Sequence, residues 1–484
     1  MSEGDRQFHL RASHIPFHGI GLSVDVYSPH LLDLVQELNG HRLPFGYLEI
    51  FKAPVSALHT VRAQVKCPFF EYHADGLWVT QPDLWNAYPI QAELEQVNSH
   101  LRALGCYWIN QECATKQMAG YSLGTYLPPL LTRVSAQVTA SNARSIQDQL
   151  DASDGVDRSV APLFLLETPP LTYFACGDLS YMEFFRIVTS HSACGLVLDI
   201  GHLWTVYRYA GYAQSQSVTE FVEMFLSEFP LDRVVQIHIA GLNVHPRISR
   251  LQGEAAGLPA WIDAHDAPVP DVLFAMLEQI LSRCELTALK GVALEVDTKP
   301  IPLILQDYAM LRGKLAGWEG DVKSHQPEDR EKNLDRDSPE ECVRFDADAA
   351  RGLLCQAHSD YVRGLTHGSV EPFLQPYSCR VTDPNGLRTY SHFYLPFEIF
   401  EWGGDLRVMF PMTCTAMERD KIDLSRFLSF WFQQPRPNIH TFDYFLLKVQ
   451  RFVDFVQSES PNAVPTAEKE AEALRDAYDI ANQL

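Results

Sequence analysis

Two short runs carry more chemistry than their surroundings. Residues 233–241, RVVQIHIAG, form a strand-like apolar run interrupted by one imidazole, His238, and further on WIDAHDAPVPD holds Asp263 and His265 two positions apart. Alternation places Val235, Ile237 and Ile239 on one strand face and Val234, Gln236, His238 and Ala240 on the other. A single such histidine reads as a core residue bonded to backbone. The same pattern recurs, however. Glu49, then His73 and Asp75, Glu112 and Cys113, Glu167, Asp199 and His202, and Glu295 and Asp297 each stand at the end of an apolar or β-branched run. Buried charges must be paired or bind metal, so packing alone does not satisfy so many. Imidazoles and carboxylates with few thiolates suit iron, manganese or zinc and disfavour calcium or an iron–sulfur cluster. The set exceeds the needs of one ion, so two or three metals are expected. Glu49 and Asp75 read equally well as pairing partners, His245 as a surface histidine in a polar loop, and Asp297 as a cap for the loop that follows it.

The elements that must position these residues form a regular series. Strand-like runs occupy 19–26, 47–53, 69–75, 107–113, 163–168, 195–202, 233–241 and 291–297, with amphipathic stretches such as PHLLDLVQELN and VTEFVEMFLSEF between them. Eight strands alternating with helices predict a (β/α)8 TIM barrel, in which functional residues gather at the C-terminal strand ends. No G-x-G-x-x-G follows the first strand, which argues against an open doubly wound sheet. The reading divides the chain into a barrel over 1–320, a charged linker over 321–340 and a smaller α+β domain over 341–484. In that last unit SHFYLPFEIFEW and DLRVMFPM read as extended, and an exposed strand there would accept a peptide by edge addition.

A chain of 484 residues is expected to hold at least two domains. A net charge of −22 argues against nucleic acid as the main partner, because phosphate binding needs clustered Lys and Arg. No run of about 18 apolar residues predicts a membrane span. The N-terminus has no apolar core of a secretory signal, and ten cysteines without a C-x-x-C pair read as reduced thiols of a cytoplasmic protein.

The combination VVQIHIAG, DAHDAPVPD and ALEVD, with GIGLSVD, FEYHADGL, LLETPP and CGLVLDIGH, resembles the multinuclear non-haem iron-dependent oxidative enzymes. This family includes the iron oxidase of methanobactin biosynthesis, and the resemblance covers about residues 15–315. It implies two or three irons in mixed Fe(II)/Fe(III) states, held by His73, Glu167, Asp199, His238, Asp263, His265 and Glu295. It also implies dioxygen as co-substrate and hydrogen abstraction from a residue, chiefly cysteine, of a ribosomally synthesised precursor peptide. His73, His238 and Asp263 would be central to catalysis; the C-terminal unit lies outside the resemblance and reads either as a grip for the peptide's leader or as a dimerisation or stabilising domain.

Three departures stand out. Glu112-Cys113 replaces the family's Glu-His, Gly201-His202 replaces paired asparagines, and Leu242 replaces a second histidine. They add Glu112, Cys113 and His202 to the candidate ligands. Asp199-x-x-His202 and Asp263-x-His265 also resemble xylose-isomerase-like barrels and the endonucleases built on them. Those imply a divalent-metal sugar isomerase or epimerase, or a hydrolase. The acidic charge weighs against a nuclease, and only Lys52 and Lys299 stand near strand ends as an isomerase would require.

Overall fold

The computed structural model describes residues 3–87, 90–152, 161–248, 258–318, 346–367, 379–401, 403–434 and 444–481. The expected linker at 321–340 lies outside them. Among the described residues there are fourteen strands: β1 (Gly19–Val24), β2 (Tyr47–Phe51), β3 (Phe69–Ala74), β4 (Trp108–Glu112), β5 (Thr115–Met118), β6 (Tyr121–Leu127), β7 (Leu163–Glu167), β8 (Cys176–Gly177), β9 (Gly195–Asp199), β10 (Val234–Ile239), β11 (Leu242–Val244), β12 (Trp261–Asp263), β13 (Gly291–Val296) and β14 (Arg380–Val381). Eight of them close a parallel barrel in the order β1-β13-β10-β9-β7-β4-β3-β2. The predicted TIM barrel is therefore present, with each predicted run supplying one barrel strand.

Period-2 alternation sorts the side chains of these strands. Leu22, Val24, Leu48, Ile50, Leu196, Leu198, Ile237 and Ile239 join the large cluster beneath the surrounding helices. Tyr47, Trp108, Leu163, Leu165, Val197, Val235 and Ala293 form a separate apolar plug inside the barrel, completed by Phe8, Ala12 and Ile15 of the helix Glu3–His14 and the turn after it. The placement of Val235 differs from simple alternation. Pairing of β10 with β9 shifts register between Val234 and Gln236, a bulge that adds one residue to the strand. Val235 thus turns into the interior below His238.

The C-terminal region departs from the α+β expectation. Its described residues form helices Ala347–His367, Pro384–Thr389, Leu406–Met409, Pro411–Arg419, Arg426–Gln433, Tyr444–Glu459 and Val464–Ala481, and β14 is the one strand among them. The stretch expected to be extended, SHFYLPFEIFEW, instead runs through a π-turn (Tyr390–Tyr394) into helix Leu395–Glu401. Leu387, Tyr390, Ser391, Tyr394, Leu395 and Ile399 are buried. Their spacing of three and four is a helical stripe, whose dense aromatics imitate a strand when read by composition. DLRVMFPM is helical for the same reason. Edge addition of a peptide at SHFYLPFEIFEW has no strand to use.

These helices share one hydrophobic cluster with the barrel. β14 pairs with β8 in the loop after β7, Arg351 donates to Pro82 O at 2.9 Å and to Asn142 Oδ1 at 2.8 Å, and Trp431 Nε1 donates to Ser122 O of β6 at 2.8 Å. Among the described residues no helix is long and apolar enough to cross a membrane.

His358, on the first of these helices, is fully buried, and burial pushes its imidazole down to about 3. The unfolded chain takes up this proton near pH 6.5, so stability is lost as pH falls from 6.5 toward 3, by up to about 1.4 kcal/mol per pH unit. Calorimetric melts between pH 7 and 5 should show a shallower decline for His358→Leu than for the native chain.

Candidate metal centre

The top layer of the barrel gathers nearly all the ionisable groups singled out at strand ends. Strands β3, β7, β9, β10 and β13 deliver His73, Glu167, Asp199, His238 and Glu295, and each strand then ends or turns into its loop. Ligand atoms of Glu167, Asp199, His238 and Glu295 lie within 4.8 Å of one another, as do those of His202, Asp263 and His265. The second trio depends on loop conformation. His202 enters through the first turn of helix Ile200–Tyr209, where Asp199 Oδ1 caps the helix by accepting from His202 N at 2.6 Å. Asp263 comes from the antiparallel β11–β12 hairpin, paired with Leu242. His265 N donates to Gly241 O at 2.9 Å. A Cβ at Gly241 would fall 1.7 Å from Ala267 O, so only glycine lets this loop fold back over β10. His265 itself sits at φ +55, a conformation that costs free energy unless its surroundings enforce it.

His73 and His202 each turn Nδ1 outward to a backbone carbonyl and Nε2 toward the cluster, whereas Glu49 and Asp297 lie close to His238 Nε2 and His265 Nδ1 without hydrogen-bond geometry. His73 Nδ1 donates to Ala74 O at 3.0 Å, and its Nε2 lies 3.2 Å from Glu167 Oε2. His202 Nδ1 donates to Thr168 O at 2.5 Å, and its Nε2 lies 3.0 Å from Asp263 Oδ2. His238 Nε2 is 3.0 Å from Glu49 Oε1, and its Nδ1 faces Glu295 Oε2 at 2.9 Å and Glu167 Oε1 at 3.1 Å. His265 Nδ1 is 3.3 Å from Asp297 Oδ2, and its Nε2 is 2.7 Å from Asp263 Oδ1. The hydrogen bonds behind His73 and His202 are of the kind that orients metal-bound histidines.

Several of the short contacts lack hydrogen-bond geometry. Asp199 Oδ2, His202 Nε2, Asp263 Oδ1 and both ring nitrogens of His265 are buried without a hydrogen-bond partner. Lone pairs converging without donors between them match what a shared cation requires. Glu167, Asp199, Asp263 and Glu295 together carry four negative charges when ionised, and imidazoles bind metal in the neutral form. The donor set of nitrogen and oxygen fits iron, manganese or zinc.

Electrostatics within the cluster are strong. Burial pushes Glu167 up, but His238 and His73 outweigh it and hold the carboxyl well below its usual range. Burial likewise opposes the ionisation of Asp263, which His265 and His202 keep lowered. Burial would depress His73, yet Glu167 lifts it to about 9. Glu112 is buried beside these groups, and burial raises it to about 8 against the pull of His202. It lies outside both ligand groups.

The other expectations resolve individually. Cys113 stands apart from the cluster: it is fully buried in the outer hydrophobic packing, where burial raises its thiol well above the usual range and Cys194 and Glu112 add to this. Glu112 already points inward, so the next residue along the strand points out. Asp75 is a pairing partner, accepting from Lys116 Nζ and Tyr126 OH, both at 2.9 Å. His245 is buried, contrary to its reading as a surface histidine, because the helix Leu395–Glu401 covers it and its ring stacks on Phe397. Asp297 backs His265 rather than merely capping a loop. Glu49 backs His238 and accepts from Ser23 Oγ at 2.9 Å and Trp108 Nε1 at 3.2 Å. Sequence reasoning missed Asn110, whose Nδ2 donates to Glu167 Oε2 at 2.5 Å. Its position two before Glu112, on the same strand face, was the available signal.

The sequence profile described as RiPP precursor modification enzyme MbnB/TglH/ChrH matches residues 56–310. A UPF0276 protein of Caulobacter vibrioides is 24% identical over 209 residues, covering 43% of this chain and 64% of the relative. UPF0276 protein VP3015 of Vibrio parahaemolyticus is 25% identical over 265 residues, covering 53% and 79%. The chain spans less than two thirds of the length of the former. Among solved structures, endonuclease IV from Thermus thermophilus is similar with a TM-score of 0.37 and 14% identity, over 62% of this chain and 99% of that one. D-psicose 3-epimerase from Clostridium cellulolyticum reaches 0.36 and 12%, over 62% and 98%. Likeness at that level bears on no residue of the site.

Two sets of variants test the centre. His238→Ala, Asp263→Ala and Glu295→Ala should each lose bound metal while circular dichroism stays that of the folded barrel, and Glu49→Gln should weaken metal binding about 10–100-fold. Cys113→Ser should leave the metal content, read by mass spectrometry of the elements, unchanged and cost about 1–3 kcal/mol of stability through a hydroxyl placed in apolar packing.

Proposed function

Because the chain belongs to the MbnB/TglH/ChrH family of RiPP precursor modification enzymes, we propose that it oxidatively modifies a residue, cysteine foremost, of a ribosomally synthesised precursor peptide, using iron and dioxygen. The observation that carries this reading is the pair of adjoining buried donor groups, in which Asp199 Oδ2, His202 Nε2, Asp263 Oδ1 and both ring nitrogens of His265 have no hydrogen-bond partner. Two irons would be held by Glu167, Asp199, His238 and Glu295 and by His202, Asp263 and His265, with His73 beside Glu167. When bound, iron supplies the electron transfer between dioxygen and the peptide residue.

The chain's own groups do the rest. The carboxylates of Glu49 and Asp297 stand 3.0 Å and 3.3 Å behind the rings of His238 and His265 and favour their carrying a proton or a metal. Asn110 holds one oxygen of Glu167 and leaves the other for the centre. Asp263, with 18% of its side chain exposed, is the donor that faces the mouth and so lies where a substrate arrives. Trp108 and the plug below it exclude water from the other end. An isomerase reading finds less support, because Lys52 is held by Glu93 at 2.6 Å and Lys299 by Asp307 at 2.8 Å.

Protein purified without air should hold two or more irons per chain. On admission of air it should change the mass of a cysteine-containing precursor peptide encoded beside its gene, and leave the Cys→Ser peptide unaltered. Active protein that carries stoichiometric zinc or manganese and negligible iron would overturn the proposal.

A further inference from the structure

Two cysteines from distant parts of the chain meet on a small antiparallel sheet. β8 (Cys176–Gly177) lies in the loop after β7, and β14 (Arg380–Val381) lies in the C-terminal region. Their register sets Val381 opposite Cys176 and Arg380 opposite Gly177. Residues directly opposite share a face of such a pair, and so do residues two apart along one strand. Cys379, two before Val381, therefore stands on the face of Cys176, one step along the diagonal. Diagonal neighbours in a sheet are about 7–8 Å apart at Cα and closer at Cβ, and two-stranded ribbons twist most strongly. A disulfide spans up to about 7 Å at Cα. Both residues carry free thiols, and the thiols act directly on each other. Hydrogen bonding with Cys176 holds Cys379 below the usual thiol range, against its burial and the Asp178 charge. The same bond, with burial, holds Cys176 well above that range.

The backbone around both cysteines is pinned. Leu131 N donates to Cys176 O at 2.8 Å, and Asp178 N donates to Leu131 O at 2.9 Å. A Cβ at Gly177, which has φ +157, would fall 2.2 Å from Leu131 O, so β8 needs glycine there. On the other strand Thr382 N donates to Ala175 O at 3.0 Å, and Thr382 Oγ1 accepts from Ala175 N at 2.8 Å and donates to Tyr209 O at 2.7 Å. Groups held in reach of each other in this way react far faster than the same groups free in solution. The pair is also asymmetric. Cys379 is partly exposed and the more acidic, which suits it to meet a disulfide from solution, whereas Cys176 is buried behind it.

We propose that Cys176 and Cys379 are a modification site at which a small-molecule disulfide, of the glutathione disulfide class, is exchanged for an intrachain bond between the loop after β7 and the C-terminal region. The Cys379 thiolate attacks one sulfur of the small molecule, whose S–S bond breaks, and one glutathione thiolate leaves and takes up the proton that Cys379 gave up. Cys176 then loses its proton and attacks the Cys379 sulfur, and the second glutathione leaves as the thiol. Two cysteine thiols are oxidised, and one glutathione disulfide is reduced to two thiols. The step needs neither metal nor peptide. The reduced full chain, freed of reductant and kept with a chelator, is incubated with glutathione disulfide. Its remaining thiols are blocked with iodoacetamide, and the unreduced digest is mapped by mass spectrometry. A linked Cys176–Cys379 peptide should appear in most chains, with the loss of two alkylatable thiols per chain, and dithiothreitol should restore both. Cys176→Ser should instead retain one glutathione on Cys379, and Cys379→Ser should leave Cys176 without glutathione. A native chain in which Cys379 keeps its glutathione unlinked, in which neither cysteine reacts, or in which links are spread over the other cysteines would overturn the proposal. The map of the native chain decides the matter even where a variant does not fold.

Discussion

Concentrated charge in an apolar tube is the constraint on which the rest of this structure depends. Four carboxylates and four imidazoles share the upper layer of a barrel whose lower interior is filled by Tyr47, Trp108 and aliphatic side chains. Removing such groups from water costs several kcal/mol each unless they are compensated. The fold answers with a second ring of groups: Ala74 O and Thr168 O hydrogen-bonded behind His73 and His202, and the carboxylates of Glu49 and Asp297 close behind His238 and His265. It also accepts local strain, as at His265, where the β11–β12 hairpin and Gly241 hold the backbone in place. The arrangement is that of a site organised before its ion or substrate arrives.

How much of this was legible follows from periodicity. A barrel strand repeats every two residues and ends where its loop begins, so a histidine or carboxylate in the last turn of alternation announces itself. His73, Glu167, Asp199, His238 and Glu295 were legible for that reason. Cys113 misled because it adjoins Glu112 in sequence, whereas the pleat sends neighbours to opposite faces. The bulge at Val234–Gln236 was invisible, since an extra residue in one strand leaves no mark on composition. Asn110 and the duty of Glu49 belong to the layer beneath the cluster, where polar residues signal only by sharing a face with those above.

The C-terminal region failed to read as helix for a related reason. Tyr390, Tyr394 and Ile399 suit a pleated surface by residue type, and only their spacing speaks for a helix. That helix does more than fill space. It covers His245, stacking Phe397 on its ring and bringing Glu398 within 4.0 Å of its Nε2. Fold class thus came from the first 315 residues, while the packing around His245 depends on chain far removed from them.

The shared hydrophobic cluster has a bearing on how the chain is made. All eight barrel strands leave the ribosome before the helices that cover their loops, and domains begin to fold in that order. The barrel therefore waits with Leu123, Leu131, Tyr173 and Phe174 uncovered until Leu354, Tyr361, Tyr390 and Ile399 arrive. During that interval the apolar loops are free to meet other chains. A chaperone holding those loops, or slow translation after Leu315, would change the yield of native protein without altering any contact of the finished molecule.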